Sequence, residues 1–348
     1  MKYLFIQKPY QVEVREGPLP EFHPEKGDAL LKMLYGGICG SDLSTYRGSM
    51  AYASYPRVPG HEFSAEVVEI APNSAGLKKG SIVTANPYFN CGRCYSCRRG
   101  LVNCCETNET MGVQRDGAFS EYFTMPAERL FDGGGISPKL LALVEPFCIG
   151  YHGIARAGLK PGERVLVVGA GTIGVLAALS AKLAGGEVYL ADIAPAKLDY
   201  AQTRFGFAGT VLNDSSGHFR EQVASVTGRD GFDVTVEAVG SPSTFQDCVD
   251  ASAYGGRVVQ IGVGKQHADF DFTILQKKEL NLFGSRNARN EDFLRVIRLT
   301  REGKADPGKV VTDIYLFEQA ARAFSDFDRN SGTMLKVLLD FSEGTPSG

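Results

Sequence analysis

Up to about residue 150 the chain runs in short apolar stretches broken by Gly, Pro and polar clusters, the pattern of a β-rich domain with many turns. From residue 151 the rhythm changes. Strand-like apolar runs alternate with helix-like segments, which predicts βαβ units on a parallel sheet. Six strands are expected there, at residues 164–168, 188–191, 210–212, 233–237, 257–261 and 280–283. Helical patterns such as 173–184 and 195–205 separate most of them, so residues 151–285 read as a six-stranded, doubly wound α/β sheet. Beyond Ser285 the alternation lapses. Helices over about 291–301 and 317–324 and strands at 310–314 and 333–340 are expected, and residues 286–348 read as a return to complete the first domain, 1–150. Residues 342–348 read as a frayed tail.

Composition narrows the class. A length of 348 residues suits two domains with a hydrophobic core each. The net charge of -3 gives no electrostatic footprint for nucleic acid or for a membrane surface. No run of about 18 apolar residues is present to span a bilayer. The apolar stretch within residues 1–9 is too short for a signal-peptide core and reads as a first strand. The expectation is a soluble cytoplasmic protein whose partner is a small molecule.

The strand at 164–168 runs directly into Gly169-Ala170-Gly171-Thr172-Ile173-Gly174. A G-x-G-x-x-G alone is weak evidence, but here it leaves a buried strand and opens a helix, the Rossmann context. Gly169 permits the tight turn, Gly171 lets backbone N–H groups approach a pyrophosphate, and Gly174 lets helix and strand pack closely. Thr172 and Ile173 open the helix, whose N-terminus adds unpaired donors and a positive dipole end. Asp192 ends the next strand, 18 residues after Gly174, where a carboxylate accepts from ribose hydroxyls and repels a 2′-phosphate. Neither Ile193 nor Ala194 is basic, so NAD is expected over NADP, and Lys197 is spaced to reach the ribose as well. The plainer alternative, a glycine-rich loop with Asp192 as a helix cap, leaves the agreement of strand, glycines and acid to coincidence.

Of the eight cysteines, Cys91, Cys94, Cys97, Cys104 and Cys105 crowd one stretch. Four thiolates at such intervals close a tetrahedral zinc site with no open position, and a closed site is structural. Cys91, Cys94 and Cys97 are common to either arrangement, while Cys104 and Cys105 compete for the fourth place. An iron–sulfur site or a zinc ribbon on nucleic acid are the alternatives. The ribbon is disfavoured by the net acidity and the absence of a wider basic patch.

Three further groups are scattered: Cys39 in GGICGSD, His61 and Glu62 in PGHE, and Glu145 in VEP. Taken singly, a cysteine is usually a small buried hydrophobe, and spacing does not bring these residues together. Their order along the chain, with the cysteine cluster and GAGTIG between and after them, resembles the zinc-containing medium-chain alcohol dehydrogenases over essentially the whole length. A Glu at 145 resembles the polyol and sugar-acid branch around sorbitol dehydrogenase. The resemblance implies a GroES-like catalytic domain, with a zinc lobe at about 88–108, split around the Rossmann domain. It implies two zinc ions per chain: a structural one on Cys91, Cys94, Cys97 and Cys105, and a catalytic one among Cys39, His61 and Glu145, with Glu62 either a ligand or bound through water. Zinc would hold the substrate oxygen and lower its pKa. Ser41 corresponds to a hydroxyl that takes the proton, Asp42 to a carboxylate that orients His61, and Glu62 and Glu145 join Ser41 as catalytic groups. Ser44 departs from the family, in which many members carry a His there to pass the proton outward. Water, the ribose hydroxyls or Tyr46 are left for that task.

The segments 55–62, 103–106, 116–122 and 284–288 resemble bacterial sugar-acid dehydrogenases, including those that oxidise L-galactonate or L-gulonate at carbon 5. A carboxylate substrate calls for a guanidinium, which binds it through two parallel bonds. Arg286 is one candidate and Arg115 another, with Asn287 and Phe119 as further substrate residues. Polyol, polyol-phosphate and L-threonine oxidation are rival activities on the same scaffold, and an NAD-binding structural protein is the non-enzyme alternative. The family implies a homotetramer or homodimer.

Overall fold

Strand Arg164–Val168 is buried along nearly its whole length, as a continuous apolar run must be when helices cover both faces of a parallel sheet. The computed structural model describes residues 1–50, 54–214 and 217–342. Residues 343–348 of the expected tail lie outside the described residues. The chain divides into two units, Met1–Glu145 with Ala288–Gly348, and Pro146–Asn287. These breaks differ by a few residues from the expected ones at 150 and 285. Helix Val144–Ala157 runs through the first, because its apolar sequence gives no local signal where one unit stops.

The second unit is a six-stranded parallel sheet in the order Gly209–Leu212, Glu187–Asp192, Arg164–Val168, Phe232–Glu237, Ser252–Gln260, Asn281–Gly284. Its first strand in sequence is central and pairs on both sides, so strand order reverses there. Ligands bind open α/β sheets at such a reversal, outside the carboxyl ends of the strands. Strand Ser252–Gln260 begins five residues before the expected 257. Its first half, Ser-Ala-Tyr-Gly-Gly, reads as a turn, and the pairing register does shift there.

In the first unit, strands Val311–Leu316, Lys336–Asp340, Asp28–Ile38, Glu62–Ile70, Ile82–Ala85 and Leu130–Asp132 form a sheet in that order, and Tyr122–Pro126 pairs off Asp28–Ile38. The C-terminal strand Lys336–Asp340 lies antiparallel to Asp28–Ile38, pairing Val337 with Ile38. The break in rhythm after residue 285 therefore has a structural cause: this segment pairs with strands formed near the start of the chain. Helix Ala320–Arg329 extends past the expected 324 and buries Ala320, Ala323, Phe324 and Phe327 at helical spacing. Among the described residues, no helix is long and apolar enough to cross a membrane.

Candidate metal and cofactor sites

Strand Asp28–Ile38 ends at Cys39, which caps helix Gly40–Arg47. Asp42, in the first turn of that helix, accepts from Cys39 N at 2.9 Å and from Gly60 N at 3.3 Å. One buried carboxylate thus ties together the two loops that carry Cys39 and His61. The same Oδ1 stands 4.0 Å from His61 Nδ1. Burial raises the pKa of Asp42, with His61 pulling the other way. Burial alone would lower that of His61, but Cys39, Asp42 and Glu145 outweigh it and raise it well above the usual value.

Glu62 opens strand Glu62–Ile70 and pairs across to Gly37. A side chain at 37 would meet Glu62 Oε2 at 2.2 Å, so the glycine leaves room for the carboxylate. Cys39 Sγ, a His61 ring nitrogen and a Glu62 oxygen lie within 4.8 Å of one another. A thiolate, an imidazole and a carboxylate form a donor set suited to zinc. His61 Nδ1, which faces Asp42, and Ser41 Oγ are both buried without a hydrogen bond, and a substrate hydroxyl would give the serine oxygen a partner.

Glu145 is the fourth residue expected around the catalytic zinc. It is buried in the first turn of helix Val144–Ala157 but does not belong to that three-residue group, and its Oε1 accepts the hydroxyl of Tyr88 instead. Burial and the charge of Glu62 push its pKa up to about 7, with His61, Tyr88 and Lys336 opposing.

Lys336 has no counterpart in the sequence reading. It is 2% exposed, and its Nζ donates to Ile38 O at 3.0 Å and to both Glu62 oxygens at 2.8 and 2.6 Å. A lone lysine in the apolar run Met-Leu-Lys-Val-Leu-Leu was the available signal, since lysine is almost never fully buried without a partner.

The four-cysteine group comprises Cys91, Cys94, Cys97 and Cys105, again within 4.8 Å. Cys104 is exposed and outside it. Backbone N–H groups of Arg93 and Cys94 bring the Cys91 thiol down to about 6, towards the thiolate that a metal needs.

In the second unit Gly169 adopts φ 109, and a side chain at Gly174 would strike Gly169 O at 1.7 Å, as turn and close packing require. Around Gly171 nothing lies within 4 Å of where a side chain would project. That is an open cradle where a pyrophosphate would approach. Asp192 Oδ2 accepts from Ala170 N at 2.6 Å and Oδ1 from Ala194 N at 2.9 Å, which sets the carboxylate against the glycine turn. Thr172 and Ile173 stand in the first turn of helix Thr172–Leu183, and Lys197 in that of Pro195–Phe205.

The expected substrate residues fare unevenly. Phe119 is 0% exposed and fills the space beside Gly60, so it supports the His61 turn and has no surface to offer a substrate. Arg115 stacks 3.7 Å from the Phe89 ring centre and faces Glu109 at 3.8 Å. It lines a surface depression in which Cys39, His61 and Glu62 take no part. Arg286 is exposed in the second unit, followed by Asn287 in a left-handed conformation with its buried amide nitrogen unpaired. Tyr46 is packed between Tyr10 and Phe324, at centroid distances of 5.1 and 5.7 Å, which occupies it as core.

Comparison with known proteins gives the setting. Residues 25–134 match the alcohol dehydrogenase GroES-like domain and residues 172–302 the zinc-binding dehydrogenase domain. An L-galactonate-5-dehydrogenase of Escherichia coli K12 is 37% identical over 341 residues, covering 98% of this chain and 99% of that one. A sorbitol dehydrogenase of Halalkalibacterium halodurans is 31% identical over 323 residues, 92% of this chain and 93% of its own. An Escherichia coli alcohol dehydrogenase (rspB) solved with cofactor NADH superposes with a TM-score of 0.90 at 30% identity, covering 98% and 99% of the two chains. The chain therefore belongs to the zinc-type alcohol dehydrogenase family and is an oxidoreductase with a GroES-like and a Rossmann-like domain.

Proposed function

We infer that this enzyme oxidises a secondary hydroxyl of a sugar acid, an aldonate such as L-gulonate or L-galactonate, to the keto form with NAD as hydride acceptor. The observation that carries the substrate class is the likeness to an L-galactonate-5-dehydrogenase along nearly the full length of both chains. Asp192 at the glycine turn supports NAD, because a carboxylate there repels a 2′-phosphate.

Cys39, His61 and Glu62 would hold the catalytic zinc with Glu145 beside them, and Cys91, Cys94, Cys97 and Cys105 the structural one. Bound there, zinc supplies Lewis acidity that lowers the pKa of the substrate hydroxyl. Ser41 Oγ, buried and unpartnered, is placed to accept the hydroxyl proton. Asp42 orients His61 through the two backbone bonds that join their loops. Lys336 anchors Glu62 by two bonds and offsets the charge of the carboxylate. Glu145, buried beside this group and held by the Tyr88 hydroxyl, is the further acid assigned to the chemistry. Gly169, Gly171, Thr172, Ile173 and Gly174 form the dinucleotide turn, with Asp192 and with Lys197, in the first turn of the following helix, assigned to the ribose. Arg286 and Asn287 are the groups assigned to the substrate carboxylate and its neighbouring hydroxyl.

The test is an NAD-reduction screen over aldonates, polyols, polyol phosphates and L-threonine, with Arg286→Ala run beside the parent. Aldonates should give the highest kcat/KM, and the variant should raise KM for an aldonate about tenfold or more while leaving a neutral polyol within about twofold. Higher turnover of a polyol or of L-threonine would overturn the sugar-acid reading. The cytoplasm and a homotetramer are the expected setting, which fractionation and sedimentation check.

A further inference from the structure

Tyr88 is 6% exposed, and its hydroxyl donates to Glu145 Oε1. Neither spacing nor motif marks this residue. Its backbone is held from three directions. Tyr88 N donates to Asn86 Oδ1 at 3.0 Å, Arg129 Nη1 donates to Tyr88 O at 2.8 Å, and strand Tyr88–Phe89 pairs with Glu109–Thr110. Those two short strands close the base of the four-cysteine segment, since Cys91 to Cys105 lie between them in the chain. Arg129 Nη2 also donates to Asn90 Oδ1 at 3.2 Å, and Asn90 Nδ2 stands 3.9 Å from Cys97 Sγ. A continuous series of contacts thus runs from the cysteine cage through Asn90, Arg129 and Tyr88 to the Glu145 carboxylate.

The two acids beside Cys39 and His61 are held differently. Glu62 is gripped by the cation of Lys336 through both oxygens, and Glu145 by a neutral phenol through one. We propose that Tyr88 is a positioning residue: its hydroxyl keeps Glu145 out of the Cys39–His61–Glu62 group, and the folded four-cysteine segment holds Tyr88 in place to do so. This rests on that group being the catalytic zinc site. A buried carboxylate deprived of its donor seeks another electropositive partner, and the metal is the one at hand.

Cobalt(II) exchanged for zinc in the full-length enzyme reports each site by its own visible absorption. In Tyr88→Phe, which keeps the ring and the packing, the catalytic-site band should weaken and shift as another ligand enters, with the thiolate-rich band of the four-cysteine site unchanged. The kcat should fall about tenfold or more. Combined with Glu145→Gln, the Tyr88→Phe change should alter neither band nor kcat beyond about twofold, because its route of action is gone. Arg129→Gln should reproduce the band change at smaller amplitude. Parent-like band and kcat in Tyr88→Phe, or an undiminished effect in the Glu145→Gln background, would overturn the proposal. A parent-like band in Arg129→Gln would remove the part assigned to the four-cysteine segment. Cobalt bound only at the four cysteines of the parent protein would sink the catalytic-site reading itself, and the Tyr88 role with it.

Discussion

The four-cysteine group and the Cys39–His61–Glu62 group each bring metal-binding atoms within 4.8 Å, yet they are assembled in opposite ways. The first draws its donors from one stretch of chain, residues 91–105, where turns and a short helix suffice. The second collects Cys39 from just past a strand end, His61 from the loop before the neighbouring strand, Glu62 from the start of that strand, and Lys336 from strand Lys336–Asp340. Its geometry therefore exists only once the sheet of the first unit has formed. A local cage can be closed and inert. A site built across a sheet can combine a metal, a buried ion pair and an unpartnered hydroxyl, which reactivity needs.

The sharpest way to break this contrast is Cys39→Ser. Activity should fall by about a thousandfold or more, as loss of several kcal/mol of Lewis-acid stabilisation implies. Metal analysis should fall from about two zinc ions per chain to about one. Retention of both ions would unseat Cys39 as a ligand. Next in size is Lys336→Met, which in the metal-stripped protein leaves Glu62 as an unpaired buried charge and should cost about 3–5 kcal/mol in denaturant unfolding. A loss below about 1 kcal/mol would mean that the pair is not a keystone of the dispersed site.

Asp192→Ala, in the other unit, should leave both metals in place and lower kcat/KM for NAD about tenfold, with NADP tolerated better than by the parent. An unchanged NAD:NADP ratio would separate Asp192 from cofactor choice. The smallest effect is a slope. In metal-free protein the Glu145 carboxyl sits at about 7 against the ordinary 4.5, so folding favours its protonated form. That contribution is fully present below pH of about 4.5 and is lost as the pH rises through about 7. Stability of the metal-stripped enzyme should decline over that window, and Glu145→Gln should flatten the decline. An equal slope in both would place the titration elsewhere.

Much of this was legible in residue order. The strand–glycine–helix pattern at 164–174 and the acid at 192 follow local rules of turn geometry and periodicity, and the structure places them together. Less legible were the early start of strand Ser252–Gln260, hidden by its glycines, and the place of Phe119, expected as a substrate residue and found fully buried beside Gly60.

What the sequence determines by itself is whatever depends on neighbours along the chain: the four-cysteine spacing, the dinucleotide turn, the α/β rhythm of residues 151–285. The tertiary structure alone decided that Glu62 stands with Cys39 and His61 while Glu145 is held by Tyr88, and that Lys336 closes the site from a strand far along the chain. The reason is physical. Turns and helices are set by torsions and hydrogen bonds within a few residues, whereas a buried charge finds its partner only when distant strands pair.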